Sequence, residues 1–213
     1  MTAHTFSFSN PLYAIADILG RAHLSYIDLA DQLCRGGARV LQLRAKELST
    51  RDFLSAAQQV HGICHHYSCL FIVNDRSDIA LAVDADGVHL GQEDLPLGAA
   101  RKLLGPDKII GISTHDPEQA RMAEHSGANY IGFGPLFGTA TKATGYSARG
   151  IEQLRHIRSL VSLPIVAIGG ITAERAQLAL AAGANAVAMI SDLVLADNVA
   201  SKVQETLIQL TPC

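Results

Sequence analysis

Short apolar segments recur eight times along the 213 residues, each separated from the next by an amphipathic stretch. The candidate strands are 12–17, 39–44, 70–75, 87–91, 109–114, 130–135, 165–169 and 186–191. Their near-continuous Ile, Val, Leu and Phe content suits strands covered on both faces, as a parallel sheet requires. Between them the apolar residues fall at helical steps. Phe53, Ala56, Ala57, Val60, Ile63, Cys64 and Tyr67 share one helix face, and Val199, Val203, Leu207 and Leu210 share another. Ser49 and Asp52 resemble a capping box, with Asp in place of the usual Glu. Gly37-Ala38, Gly127-Ala128 and Gly183-Ala184 each end a helical segment and lead into a strand, where glycine suits the left-handed helix stop.

Eight such units allow an open doubly wound sheet or a closed barrel. The open dinucleotide-binding form carries GxGxxG after its first strand, and Ala16-Asp17-Ile18 offers none. The expected architecture is therefore α/β: a single-domain (β/α)8 TIM barrel over residues 1–213, with 1–11 as an amino-terminal extension.

Composition removes several function classes. A formal net charge of -3 argues against nonspecific nucleic-acid binding, which needs a basic surface. No apolar run is long enough to span a bilayer, and residues 1–10 lack the order of a signal peptide. Cys34, Cys64, Cys69 and Cys213 form no CxxC pair, so reduced thiols of a cytoplasmic protein are expected. His65 and His66 are adjacent and do not point the same way from one helix, so packing and surface placement account for them. His61 and His125 are expected to be surface or packing residues.

In barrels of this kind the chemistry sits at the strand carboxyl ends, and those ends are polar here. Strand two runs into Gln42, Arg44 and Lys46, alternating with Leu43 and Ala45, so an amide and two cations share a face. Strand three ends Asn74-Asp75, and Asp94 follows strand four. Singly these carboxylates read as a helix cap and a loop charge. Beside the cations they suggest a hard divalent ion, magnesium, bridging protein to a polyphosphate. Strand five ends Ser113-Thr114-His115. Gly138-Thr139-Ala140-Thr141-Lys142 and Gly145 suit a loop that closes over phosphate. Gly169-Gly170 after strand seven, and Ile190-Ser191 after strand eight, suit a plain phosphate site at helix amino termini. Two anion sites result.

At this point the chain resembles the thiamine-phosphate synthase (thiamine-phosphate pyrophosphorylase) family, from about Leu12 to the final helix. The resemblance rests on Gln42-Leu43-Arg44-Ala45-Lys46, Phe71-Ile72-Val73-Asn74-Asp75-Arg76, Gly87-Val88-His89-Leu90-Gly91-Gln92-Glu93-Asp94, Thr139-Ala140-Thr141-Lys142 and Ala167-Ile168-Gly169-Gly170-Ile171. It implies transfer of a hydroxymethylpyrimidine group from its diphosphate to a thiazole phosphate, releasing pyrophosphate. It further implies that the stretch Gln42 to Lys46, with Asn74, Ser113 and Lys142, holds the pyrimidine diphosphate. By the same resemblance Thr139, Ala140, Thr141, Gly170, Ile190 and Ser191 hold the thiazole phosphate, and Asp75 and Asp94 hold Mg2+. Lys142, Arg44, Lys46 and Ser113 would then carry catalysis.

The implied reaction is dissociative: pyrophosphate leaves, a stabilised pyrimidine carbocation forms, and the unprotonated thiazole nitrogen captures it, so no general base is required. The partners implied are small molecules, with no nucleic acid and no membrane, and a homo-oligomer is left open. Two rivals are a thiazole tautomerase, using His115 for proton transfer, and a non-catalytic phospholigand-binding barrel.

Overall fold

Strands β1 (Leu12–Ala16), β2 (Val40–Leu43), β3 (Leu70–Asn74), β4 (Gly87–Leu90), β5 (Ile109–Thr114), β6 (Tyr130–Phe133), β7 (Ile165–Ala167) and β8 (Ala186–Met189) all pair in parallel, and β8 closes on β1. The closed ring is the (β/α)8 barrel that the alternation implies. This description comes from a computed structural model and covers residues 6–20, 24–138 and 145–211. The strands begin within one residue of their expected starts and stop up to two residues early. Asp17, Arg44, Asp75 and Gly169 thus lie just past the assigned strands, at the rim.

The helices are α1 (Tyr26–Arg35), α2 (Thr50–His66), α3 (Ser77–Ala82), α4 (Leu97–Leu104), α5 (Pro117–His125), α6 (Gly150–Leu160), α7 (Ala173–Ala181), α8 (Ser191–Val194) and α9 (Val199–Leu210). Ser49 caps α2 by accepting the Asp52 N–H at 3.2 Å. The Asp52 carboxylate accepts the Ser49 hydroxyl at 2.7 Å, a reciprocal pair that differs from a capping box in using the hydroxyl proton. Helix stops follow one design. Ala38, Ala128 and Ala184 each donate to the carbonyl five residues earlier, across a left-handed glycine. That fixes the point where each helix reverses into its strand.

Strand alternation divides the buried residues into two cores. One face of every strand packs under the helices, including Leu12, Leu41, Leu43, Phe71, Val88, Ile110, Ile131 and Val187. The other face fills the barrel, with Tyr13, Ile15, Val40, Ile72, Tyr130, Val166, Ala186 and Ala188. Phe6 and Phe8 pack onto this inner core, with ring centroids 5.8 and 5.6 Å from Tyr130. Phe6 and Phe8, both partly buried, thus pack against the barrel interior.

Candidate active site

Following the inner face toward the strand carboxyl ends, apolar residues give way to polar ones. Gln42, Arg44, Asn74, His89, Ser113 and His115 line one cavity with Tyr13, Tyr130, Gly170, Ile190 and Ser191. Gln42, Asn74, His89, Ser113 and His115 are each less than a tenth exposed, so their polar atoms need partners inside the protein.

Those partners form a directional chain. The Gln42 side-chain N–H donates to the Tyr13 hydroxyl at 2.9 Å, and Tyr13 and Tyr130 hydroxyls meet at 2.8 Å. Tyr130 meets His89 Nδ1 at 3.0 Å, and His89 Nε2 meets Ser113 Oγ at 2.9 Å. Since Tyr13 already accepts from Gln42, its proton goes to Tyr130. The Tyr130 proton then goes to Nδ1, which makes Nε2 the protonated nitrogen. The opposite polarity would leave the buried Tyr13 proton without an acceptor among the described residues. Ser113 therefore accepts from His89 and keeps its own O–H for donation. Burial raises the pKa of both phenols well above that of a tyrosine in water, so both keep their protons.

At the rim, Lys46 Nζ lies 2.9 Å from Asp75 Oδ2. Asp75 follows the cavity-lining Asn74 and adopts a left-handed φ of 62°, uncommon for a residue with a Cβ. Its N–H donates to the His89 carbonyl at 2.8 Å, which carries the turn across from β3 to β4. Asp94 Oδ2 accepts the Gly91 N–H at 2.6 Å. Burial, and then the adjacent Asp75 carboxylate, push the Asp94 carboxyl above its ordinary range, against the opposing pull of the Gly91 N–H and Lys46. Two acidic oxygens held together against their repulsion, beside one ammonium, are the donor set a hard cation takes. Arg44 is placed differently: it pairs with Asp17, which also accepts the Leu19 N–H at 2.9 Å. Asp17 therefore orients the guanidinium.

Across the cavity mouth, Gly169 and Gly170 have φ of 87° and 65°, and a Cβ on Gly170 would lie 2.6 Å from the Gly138 carbonyl oxygen. The glycines are needed both for the left-handed backbone and for this close approach. Arg175 locks the turn by donating to the Gly170 carbonyl at 2.8 Å while its guanidinium lies 4.8 Å from the Phe137 ring centre. Ser191 opens the short helix α8, next to this turn in the same cavity. A glycine turn after strand seven beside a short extra helix is a common barrel phosphate site.

Gln42, Arg44, Asn74, Ser113, Gly170, Ile190 and Ser191 thus meet in one cavity, with Lys46, Asp75 and Asp94 drawn together at its rim. Leu43 and Ala45 do not join them. Both are buried in the outer core, because alternation turns their side chains away from the barrel interior. Thr139, Ala140, Thr141 and Lys142 lie outside the described residues. His115 holds the Gly134 carbonyl through Nδ1 at 2.6 Å and stacks on Tyr146 at 4.0 Å. The sequence reading missed Tyr13, Tyr130, Asp17 and the interior place of His89. The period of two, continued inward from Gln42 and Ser113, marks Val40 and Gly111 as interior. It does not say which residues of other strands they meet.

Comparison with known proteins accords with this geometry. A family model described as thiamine monophosphate synthase matches residues 12–193. The thiamine-phosphate synthase of Methanospirillum hungatei is 45% identical over 190 residues, covering 89% of this chain and 92% of that protein. That of Coprothermobacter proteolyticus is 52% identical over 159 residues, covering 75% of each. Among solved structures, thiamine phosphate pyrophosphorylase from Pyrococcus furiosus superposes with a TM-score of 0.83 at 35% identity, over 94% of this chain and 96% of that one. Likeness on that scale spans the barrel and both rims of the cavity: the chain belongs to the thiamine monophosphate synthase family.

Proposed function

We propose that this chain is a thiamine-phosphate synthase, joining a hydroxymethylpyrimidine diphosphate to a thiazole phosphate with release of pyrophosphate. The observation that carries the reading is a carboxylate pair suited to a hard cation, Asp75 and Asp94 beside Lys46, at one side of the cavity mouth and a phosphate-type turn, Gly169–Gly170 with α8, at the other. Relatives of that name across most of the chain support it.

Gln42 and Asn74 bind and orient the pyrimidine diphosphate, and Ser113 offers it the hydroxyl proton that His89 leaves free. Asp75 and Asp94 hold magnesium, which when bound neutralises charge on the diphosphate. Arg44, aimed by Asp17, and Lys46 add positive charge where the leaving group's negative charge grows. At about 4 Å and an effective dielectric near 20, each such cation contributes on the order of 4 kcal/mol before desolvation losses. Part of this, realised only as the bond breaks, speeds the step. Gly170, Ile190 and Ser191 hold the thiazole phosphate. The family resemblance adds Thr139, Ala140 and Thr141 to that phosphate site and Lys142 to the pyrimidine site. The buried tyrosine pair keeps water from the floor of the cavity. The thiazole nitrogen attacks without losing a proton, so the residues need only position and polarise. Both substrates are small molecules. No described helix is long and apolar enough to cross a membrane, and a cytoplasmic setting goes with this reading.

The test is to mix the purified protein with the two substrates and magnesium. Pyrophosphate appearing one-to-one with thiamine phosphate is expected. Proton exchange on the thiazole without pyrophosphate would mark an isomerase, and binding without turnover a sensor; either result defeats the proposal.

Magnesium activation should also depend on pH in a defined direction. Protonated Asp94 cannot bind a cation, and its carboxyl is raised, so protons compete at a higher pH than for a free carboxylate, whose pKa is about 3.9. The half-saturating magnesium concentration is expected to climb on acidification from above that value. A flat profile there removes Asp94 from the metal site. For stability the sign is opposite: a raised carboxyl pKa favours the fold at low pH and opposes it once Asp94 ionises. Asp94→Asn is therefore expected to leave thermal stability unchanged or slightly higher.

A further inference from the structure

Three cysteines distant from the cavity share a second site. Cys34 lies in the last turn of α1, Cys64 near the end of α2, and Cys69 in the turn entering β3. Helices run opposite to strands in this fold, so these positions lie at the amino-terminal rim, away from the candidate active site. All three are free thiols, 1%, 0% and 5% exposed, and their Sγ atoms lie within 4.8 Å of one another. The neighbouring Cys64 and Cys69 thiols lower the Cys34 pKa, and the Cys69 S–H donates to the Leu70 carbonyl oxygen at 3.7 Å.

The backbone pre-positions these sulfurs. The Cys69 N–H donates to the Cys64 carbonyl at 2.9 Å across Ser68, whose φ is 53°. The Gly37 N–H donates to the Cys34 carbonyl at 2.9 Å, fixing the end of α1. Three thiols converge from three elements, and the Cys34 and Cys64 carbonyls are already satisfied.

Thiolates select soft ions such as Cu(I) and zinc. Zinc in structural sites takes four ligands. Among the described His, Cys, Asp and Glu side chains this cluster contains three, and His65 and His66 are exposed. Three sulfurs with no fourth His, Cys, Asp or Glu side chain among the described residues fit a three-coordinate monovalent ion. Metal–sulfur bonds of about 2.3 Å place trigonal sulfurs ~4 Å apart, a contraction of under about 1 Å from the spacing present.

We propose that Cys34, Cys64 and Cys69 form a three-thiolate site for Cu(I), independent of the diphosphate site. As Cu(I) enters, each new Cu–S bond replaces an S–H bond and the proton leaves to water. Copper stays monovalent and no electron moves. Arg39, whose charge acts on Cys34 and Cys69, offsets part of the negative charge formed, while the larger effect of Asp31 on Cys34 opposes it.

The test is anaerobic titration of the reduced full chain with Cu(I) against a chromophoric Cu(I) chelator, with Zn(II) in parallel. One Cu(I) per chain is expected, held more tightly than Zn(II), with a shell of three sulfurs by X-ray absorption. Cys213→Ser should keep this affinity, and Cys64→Ser should lose about 100-fold or more. If Cys64→Ser does not retain helical circular dichroism, Cys69→Ser in the turn takes its place. Equal affinity in the Cys64 or Cys69 variant, a two-sulfur shell, tighter Zn(II) binding, or a loss in Cys213→Ser equal to that in the Cys64 or Cys69 variant overturns the proposal.

Discussion

Asp75→Asn is expected to reduce kcat/KM for pyrophosphate release by about 10³-fold, or ~4 kcal/mol of transition-state stabilisation, and to abolish magnesium dependence. The substitution keeps the side chain's shape and removes its charge. Asparagine tolerates the left-handed backbone that this position adopts, so strain does not confuse the result. Asp75 is the direct partner of Lys46 and the neighbour that helps raise the Asp94 pKa. Neutralising it releases Asp94 toward ordinary titration and leaves one carboxylate where a cation needs two. Lys46 is 51% exposed, so losing its partner does not strand a buried charge, and the midpoint of thermal unfolding is expected to move by no more than about 2 °C. Near-normal activity that still requires magnesium would remove Asp75 from the site. A large fall in melting temperature would show that its role is in the fold.

Gly111→Ala is the substitution expected to damage the fold most. Gly111 pairs with Tyr130 across β5 and β6, and an added Cβ would lie 2.0 Å from Tyr130 Cζ and 2.5 Å from both Cε atoms. The ring has nowhere to go. Tyr130 is 1% exposed and is packed against Phe6, Phe8, Tyr13 and His89, with centroids 5.5 to 5.9 Å away. Overpacking of this severity costs about 3 kcal/mol or more, which for a chain of this length lowers the melting temperature by roughly 6–12 °C. Any fold that survives must displace the Tyr130 hydroxyl from His89, which loosens Ser113. The KM for the pyrimidine substrate should therefore rise along with the loss of stability. A melting temperature within about 2 °C of the parent would mean that the interior yields far more readily than its contacts indicate.

The contrast between those two residues shows where legibility in the sequence stops. Asp75 could be picked out because it ends an apolar run, sits one residue from Asn74, and has Arg44, Lys46 and Asp94 at neighbouring strand ends. Gly111 lies in the middle of a strand with no polar neighbour to mark it. Its meaning comes from Tyr130, a partner on the next strand, and from His89 on the strand before. Leu43 and Ala45 show the reverse limit. A motif read as a continuous stretch included them, and the period of two turns their side chains into the outer core.

What the chain determines by itself is what local periodicity carries. Eight apolar runs, helices with one apolar face, glycines at helix stops and polar residues at the strands' carboxyl ends together define the barrel and the rim on which chemistry sits. Closure decides the rest. The hydroxyls of Tyr13 and Tyr130 meet 117 positions apart, Arg44 finds Asp17 27 positions back, and three thiols gather from two helices and a turn. Hydrophobic burial specifies which face of an element turns inward. Which inward side chains then touch depends on the tilt and stagger of all eight strands together, and no short stretch of sequence encodes that.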